Sequence, residues 1–172
     1  PLVTREPGGS KIAEQIRSII LDKNNTEEDP RTEALLYAAS RRQHLVEKVL
    51  PVLKEDGIVI CDRFIDSSLV YQGIGRGIGV DNIYNMNLFA TDGILPDLTI
   101  FFDVKPEVAL KRITGDREVN RLDLESVDFH HKVYVGYQMI CDKFPDRIVK
   151  VDASLPVEEV YHQVYEIVKD RL

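Results

Sequence analysis

Residues 57–72, GIVICDRFIDSSLVYQ, carry the reading on which the fold turns. Ile58 to Cys61 is a short apolar run rich in β-branched residues, the pattern of a strand buried on both faces. Asp62 and Arg63 follow where such a strand ends. In open α/β sheets, ligands bind just outside the carboxyl ends of the strands. Arg offers phosphate a planar fork of donors, and Asp organises that fork or a metal-bound water. Two readings stand side by side: a phosphate site, or an ordinary ion pair at a strand end.

Working outward, Ser67 to Gln72 fits a short helix on which Ser68, Tyr71 and Gln72 share one face. A hydroxyl, a phenol and an amide on one face either solvate a helix or read a polar ligand; a Gln amide can meet a pyrimidine edge with two hydrogen bonds. Gly73, Gly75, Gly77 and Gly79 follow in a loop with no Gly-Lys-Ser/Thr, so it is not a phosphate loop. Upstream, Arg5-Glu6-Pro7-Gly8-Gly9 is a turn, and Ser10 is placed to N-cap a helix with the stripe Ile12, Ala13, Ile16, Ile19 and Ile20. Arg17 lies on that helix, as a solvated residue if taken alone. Asp29-Pro30 opens a second helix, with Leu35, Leu36, Ala38, Ala39, Leu45, Val46, Val49 and Leu50 expected inward and Pro51 expected to kink or end it. Tyr37 and Arg41 share a face, either as an aromatic–cation surface pair or as a shelf for a base with a guanidinium at its edge.

Val80 to Asp92 reads as a helix whose apolar width exceeds one core face; plain burial and a partner subunit both account for it. Leu98 to Val104 and Ile148 to Val151 read as strands. Pro106 to Ile113, Leu124 to Cys141 and Val157 to Leu172 read as helices. Between them, Arg112, Arg117 and Arg121 are mixed with Asp116, Glu118 and Asp123, to close over phosphates or to pair with their own acids. The alternation predicts an α/β fold with a mostly parallel sheet.

At 172 residues the chain is most simply one domain; 44% hydrophobic and 30% charged residues are ordinary for a soluble protein. A net charge of −7 argues against a nucleic-acid binder, and no transmembrane run or signal peptide is present. Cys61 and Cys141 suggest reduced cytosolic thiols, and the four His make no zinc spacing with them.

Several segments together resemble thymidylate kinase of the bacterial type. These are Thr4-Arg5-Glu6-Pro7-Gly8-Gly9, Ala39-Ser40-Arg41-Arg42-Gln43-His44, Asp62-Arg63-Phe64-Ile65-Asp66-Ser67-Ser68 with Tyr71-Gln72, and Pro96-Asp97-Leu98-Thr99. The resemblance covers nearly the whole chain. It implies a P-loop nucleoside monophosphate kinase fold, a parallel sheet flanked by helices, as a single domain over residues 1–172 with a lid at 112–123. It implies transfer of the ATP γ-phosphate to dTMP, with Mg²⁺, in dTTP synthesis by a cytoplasmic homodimer that engages neither nucleic acid nor membrane.

Carried over, Arg63 and Arg17 hold the dTMP phosphate and Glu6 lies near sugar and phosphate. Tyr37 stacks on thymine, Arg41 and Gln72 bond its edge with Ser68 beside them, and Tyr71 packs under the deoxyribose. Asp62 organises Mg²⁺-bound water or Arg63. Arg112 and Arg117 reach ATP, Arg117 and Arg121 act from the lid with Asp62 and Arg63 in catalysis, and Ala153 and Leu155 border the adenine. Other nucleoside monophosphate or deoxynucleoside kinases, and a non-catalytic nucleotide-binding remnant, are the competing readings.

The family opens with a strand, a P-loop ending in Gly-Lys-Ser/Thr and a helix, none of which is in this sequence. The expectation is that these residues belong to a longer chain. A protein starting at Pro1 is expected to bind dTMP weakly at most and to transfer nothing. The short spacing at Thr114–Gly115 points to residues dropped there.

Overall fold

Parallel strands need a long crossover, and the first two have one. In the computed structural model, which describes residues 1–112 and 119–171, β1 (Leu2–Arg5) pairs in parallel with β2 (Val59–Asp62), Leu2 opposite Val59 and Arg5 opposite Asp62. Between them run α1 (Lys11–Leu21), α2 (Pro30–His44), a π-helical turn (Leu45–Val49) and α3 (Leu50–Lys54). The helix therefore passes Pro51 instead of ending before it. Widening the turn ahead of Pro51 accommodates a ring that would otherwise meet the carbonyl of the preceding turn. Then come α4 (Ile65–Ser68), a second π-helical turn (Leu69–Gly75) and α5 (Val80–Thr91), which ends on Asp92 in the left-handed region at φ 57°.

A second parallel pair joins β3 (Thr99–Asp103) to β4 (Ile148–Asp152), Thr99 opposite Ile148. It is accompanied by α6 (Pro106–Arg112), α7 (Val127–Lys143) and α8 (Val157–Lys169). The helix expected from Leu124 begins later: a 3₁₀ turn occupies Leu122–Leu124, and the Ser126 hydroxyl accepts from the Phe129 amide at 3.2 Å to open α7. Two compact units result, one of Pro1–Leu95 with Val119–Val133, the other of Pro96–Glu118 with Tyr134–Leu172. The expected helix end at Ile113, and Leu172, lie outside the described residues. No helix among the described residues is long and apolar enough to cross a membrane.

The first unit is built on Ala13 and Ile20 of α1, Ala34 and Ala38 of α2, then Leu45, Val49, Ile65, Leu69, Val70 and Ile83, all buried. Two expectations about that core fail in the same way. Ile58 and Ile60, read as buried on both faces, are 44% and 56% exposed. A strand in a two-stranded sheet with cover on one face turns alternate side chains outward. Leu35 and Ala39 on α2, and Val46 in the π-helical turn after it, are exposed, and the buried face of α2 instead carries Glu33, Ser40, Arg41 and His44 beside Ala34 and Ala38. Polar side chains tolerate that burial because they bond one another. The Asp29 cap is as expected: its carboxylate accepts from the Arg31 and Thr32 amides at 2.9 and 3.1 Å, with Pro30 next. Ser10 holds the N-cap position of α1 with extended backbone, but its side chain makes no cap bond.

The turn after β1 lies against this polar face. The Gly8 amide donates to Ser40 Oγ at 3.1 Å. Gly9 sits at φ 88°, and a Cβ there would stand 2.5 Å from His44 Cδ2. Gly9→Ala should therefore cost about 2 kcal/mol or more, from left-handed strain plus displacement of His44. Urea unfolding checks this as a lowered midpoint at unchanged slope.

Candidate active site

Glu6, delivered by the turn after β1, is buried and uses both oxygens: Oε2 accepts from Arg41 Nε at 2.7 Å and Oε1 pairs with His44 Nδ1 at 2.9 Å. Arg41 also donates through Nη1 to Ser68 Oγ at 3.1 Å and to Asn87 Oδ1, with its guanidinium carbon 5.2 Å from the Phe64 ring centre. Thus Glu6, Arg41 and Ser68, three residues read from separate segments, meet in one bonded group. Asn87 of α5 completes it and carries no motif in the sequence.

At the end of β2, Asp62 is exposed and its carbonyl accepts from the Glu6 amide at 2.9 Å. Arg63 takes φ 65°, a left-handed conformation that a long side chain adopts only under constraint, and places its guanidinium carbon 5.5 Å from the Tyr71 ring centre. Arg17 donates to the Pro7 carbonyl at 2.8 Å. Burial lowers its pKa, and the charges of Arg5 and Arg63 lower it further. Like charges gathered at a strand end are what an anion such as phosphate would neutralise. Tyr37 is half-buried; burial raises its phenol, Glu33 adds to that, and Arg63 and Arg121 oppose it.

Glu33, absent from the sequence reading, is the hub of a second group. Its Oε1 accepts from Gln72 Nε2 at 2.8 Å and from Arg76 Nε at 3.2 Å, and its Oε2 from Arg76 Nη2 at 3.0 Å and from Arg121. Arg121 also donates to the Ile20 carbonyl at 3.0 Å and pairs with Glu28 at 2.6 Å. Arg76 pairs with Glu125 at 2.7 Å and lies 4.7 Å over the Phe129 ring. Burial alone would raise the Glu33 carboxyl, but hydrogen bonds from Arg76, Gln72 and Arg121 outweigh it and hold the group below the usual carboxylate range. Glu28 goes the other way: its burial, only partly offset by Arg121, raises it. Buried acids on a helix otherwise read as apolar leave no periodic signal; the clue is a Glu in the inward register of α2, one position before Ala34.

In the second unit, Arg112 donates to the Ala153 carbonyl at 2.6 Å and to the Ser154 carbonyl at 2.9 Å, joining two residues assigned to ATP. Leu155 beside them is 36% exposed. Arg117 lies outside the described residues.

Although spacing gives no zinc pattern, the fold brings ligand atoms of Glu6, His44 and Cys61 within 4.8 Å of one another. Both Glu6 oxygens are already taken, and burial, with the Glu6 charge next, pushes the Cys61 thiol up to about 12. A protonated thiol beside a guanidinium is a poor cation site. Asp62, an exposed hard-oxygen donor, suits Mg²⁺ with its waters better.

A parallel strand ending in an acid and a guanidinium, with Arg17 close enough to feel the Arg63 charge, fits the nucleotide-binding class of α/β proteins. The thymidylate kinase family model matches residues 1–164. Thymidylate kinases of Geobacillus sp. (strain WCH70) and Clostridium novyi (strain NT) are 57% and 58% identical over 99% and 96% of the chain, each covered over 82% of its own length. That of Pediococcus pentosaceus is 60% identical over 96% of the chain and 80% of its own length. The chain belongs to the thymidylate kinase family, and with it to the P-loop nucleoside monophosphate kinases.

Because the Glu33 carboxyl is held low, its ionised form stabilises the fold above the ordinary carboxylate value of about 4.3, and the gain is lost as pH falls through the folded value. The stability difference between the unaltered protein and Glu33→Gln should be about 3 kcal/mol at neutral pH and shrink below about pH 4. Urea titrations of both proteins across that range measure it.

Proposed function

We propose that the protein transfers the γ-phosphate of ATP to dTMP, giving dTDP and ADP, and that the first unit holds the acceptor nucleotide. The observation that carries this is Arg63, set at the end of β2 with φ 65° beside the Tyr71 ring. In that position Arg63 and Arg17 grip the dTMP phosphate, while Tyr71 lies under the sugar and disfavours a 2′-hydroxyl. Tyr37 stacks on the base. Arg41, with Ser68 beside it, and Gln72 meet the base edge. Glu6 acts mainly by anchoring Arg41 and His44 next to the sugar and phosphate.

Phosphoryl transfer asks the protein for positioning and for neutralisation of spreading negative charge far more than for covalent help. Asp62 would hold Mg²⁺ through its waters; when bound, the ion neutralises phosphate charge and lines up the transferring group. On the donor side, Arg112 with Ala153 and Leu155 offers a guanidinium and an apolar edge to ATP. Arg117 and Arg121 belong to the lid segment 112–123 of one thymidylate-kinase-like domain. One arginine placed on the transferring group supplies ~10³ or more in rate, and a closed lid keeps water out.

The reading includes a homodimer, supported by Phe89 on α5, which is 90% exposed. It also includes a cytoplasmic setting, supported by Cys61 and Cys141 standing outside any disulfide. A coupled ADP-release assay on the protein carrying this chain, comparing dTMP, dUMP, dGMP and thymidine, tests the reaction. dTMP should be preferred, and preference for thymidine would overturn the assignment. Arg63→Ala should raise KM for dTMP by about tenfold to a hundredfold, the loss of one or two charge-assisted hydrogen bonds. An unchanged KM would remove Arg63 from the phosphate grip.

A further inference from the structure

Gln72 is 1% exposed, and its amide is not free to choose which end faces Glu33. An ionised carboxylate only accepts hydrogen bonds, so the end at 2.8 Å from Glu33 Oε1 must be the amino group. Arg76 and Arg121, from two distant segments, both bond the same carboxylate and keep it ionised although it is buried. Arg76 is clamped in turn by Glu125 and the Phe129 ring. One amide orientation is therefore imposed on Gln72, with its Oε1 turned away from Glu33.

That orientation has a chemical consequence for a pyrimidine. Thymine and uracil offer an N3–H donor beside a carbonyl acceptor at C4. Cytosine offers the reverse, an N3 acceptor beside an amino donor. An amide meets thymine with its oxygen on N3–H and its nitrogen on the C4 carbonyl. Turned through half a rotation about its last side-chain bond, the same amide matches cytosine. An unrestrained glutamine reads both bases.

We propose that Glu33 is a positioning residue for base specificity: by holding Gln72 Nε2 it directs the amide oxygen to pyrimidine N3, admitting thymine and uracil and rejecting cytosine. The proposal rests on the reading of Gln72 as a contact to the base edge. A site with its hydrogen-bonding groups fixed discriminates strongly, because the wrong base leaves buried groups unpaired. A purely structural role for Glu33, tying α2 to the segments bearing Arg76 and Arg121, would change activity on every pyrimidine alike.

The test measures kcat/KM for dTMP, dUMP and dCMP in the unaltered protein, Glu33→Gln and Glu33→Asp, with melting curves to verify folding. Glu33→Gln presents either amide end to Gln72 and so releases its orientation. Glu33→Asp keeps the charge for Arg76 and Arg121 but is one methylene too short to hold Gln72. In each folded variant the dTMP-to-dCMP ratio should fall at least about tenfold, the loss of one oriented hydrogen bond, while the dTMP-to-dUMP ratio stays constant. An unchanged dTMP-to-dCMP ratio in a folded variant, or equal losses on both substrates, overturns the role of Glu33 and leaves the kinase reading standing. Calorimetry of the unaltered protein adds a check that needs no variant: dTMP must bind at least tenfold tighter than dCMP, and equal binding overturns the proposal. Absence of any dTMP binding would instead overturn the kinase reading and the proposal with it.

Discussion

Buried ionised groups must be paired, and this constraint shapes the first unit. Glu6 and Glu33 are both almost wholly buried, and each is matched to guanidinium groups brought from elsewhere in the chain. Desolvating a carboxylate costs several kcal/mol, and the Coulomb gain offsets it only when geometry and hydrogen bonds are complete. Here they are: Glu6 bonds Arg41 and His44, and Glu33 bonds Gln72, Arg76 and Arg121. Hydrophobic residues of similar volume would hold the helices together as well. What they would not do is fix the direction of a guanidinium and an amide.

The strand end works by the opposite logic. Arg63 is held at a positive φ, and burial together with the charges of Arg5 and Arg63 lowers the pKa of Arg17, although Glu14, paired with Arg5 at 2.8 Å, opposes it. Strain and like-charge repulsion persist there because the surrounding β1–β2 pair and the turn at Pro7 over-determine the backbone. An anion placed there would relieve the repulsion. The two carboxylate hubs fix the directions of their partners, and the arginine cluster belongs to the same unit.

How much of this the sequence discloses depends on the range of the interaction. The Asp29-Pro30 helix start, the Asp62-Arg63 strand end and the shared face of Tyr37 and Arg41 are local, set by backbone geometry within a few residues, and they are legible. The polar inward face of α2 is not. A helical period gives which residues lie together but not which stripe points inward, and alternating Leu and Ala pull the reading toward Leu35 and Ala39. Glu33 is buried only because Gln72, Arg76 and Arg121 come to it across 39, 43 and 88 residues of chain. No pattern along one helix encodes such partners. For the same reason Asn87, bonded to Arg41 across 46 residues, leaves no mark in the sequence, whereas Ser68 stands within a motif.

Arg121 shows how the two kinds of reading complement each other. Its place in a run of charges suggests a residue that closes over phosphates. Its bonds tie the 3₁₀ segment to Glu28, Glu33 and the Ile20 carbonyl at the end of α1. These are compatible once the shared carboxylate is considered. Arg121 bonds Oε2 of the same carboxylate whose Oε1 accepts from Gln72, so Glu33 couples the two side chains. Any movement of Arg121 toward a phosphate would weaken the pull on Glu33 and return its pKa toward the buried, higher value. Arg76, bonded to both Glu33 oxygens, limits that swing. Arg76 thus keeps both Glu33 oxygens bonded even if the Arg121 contact were lost.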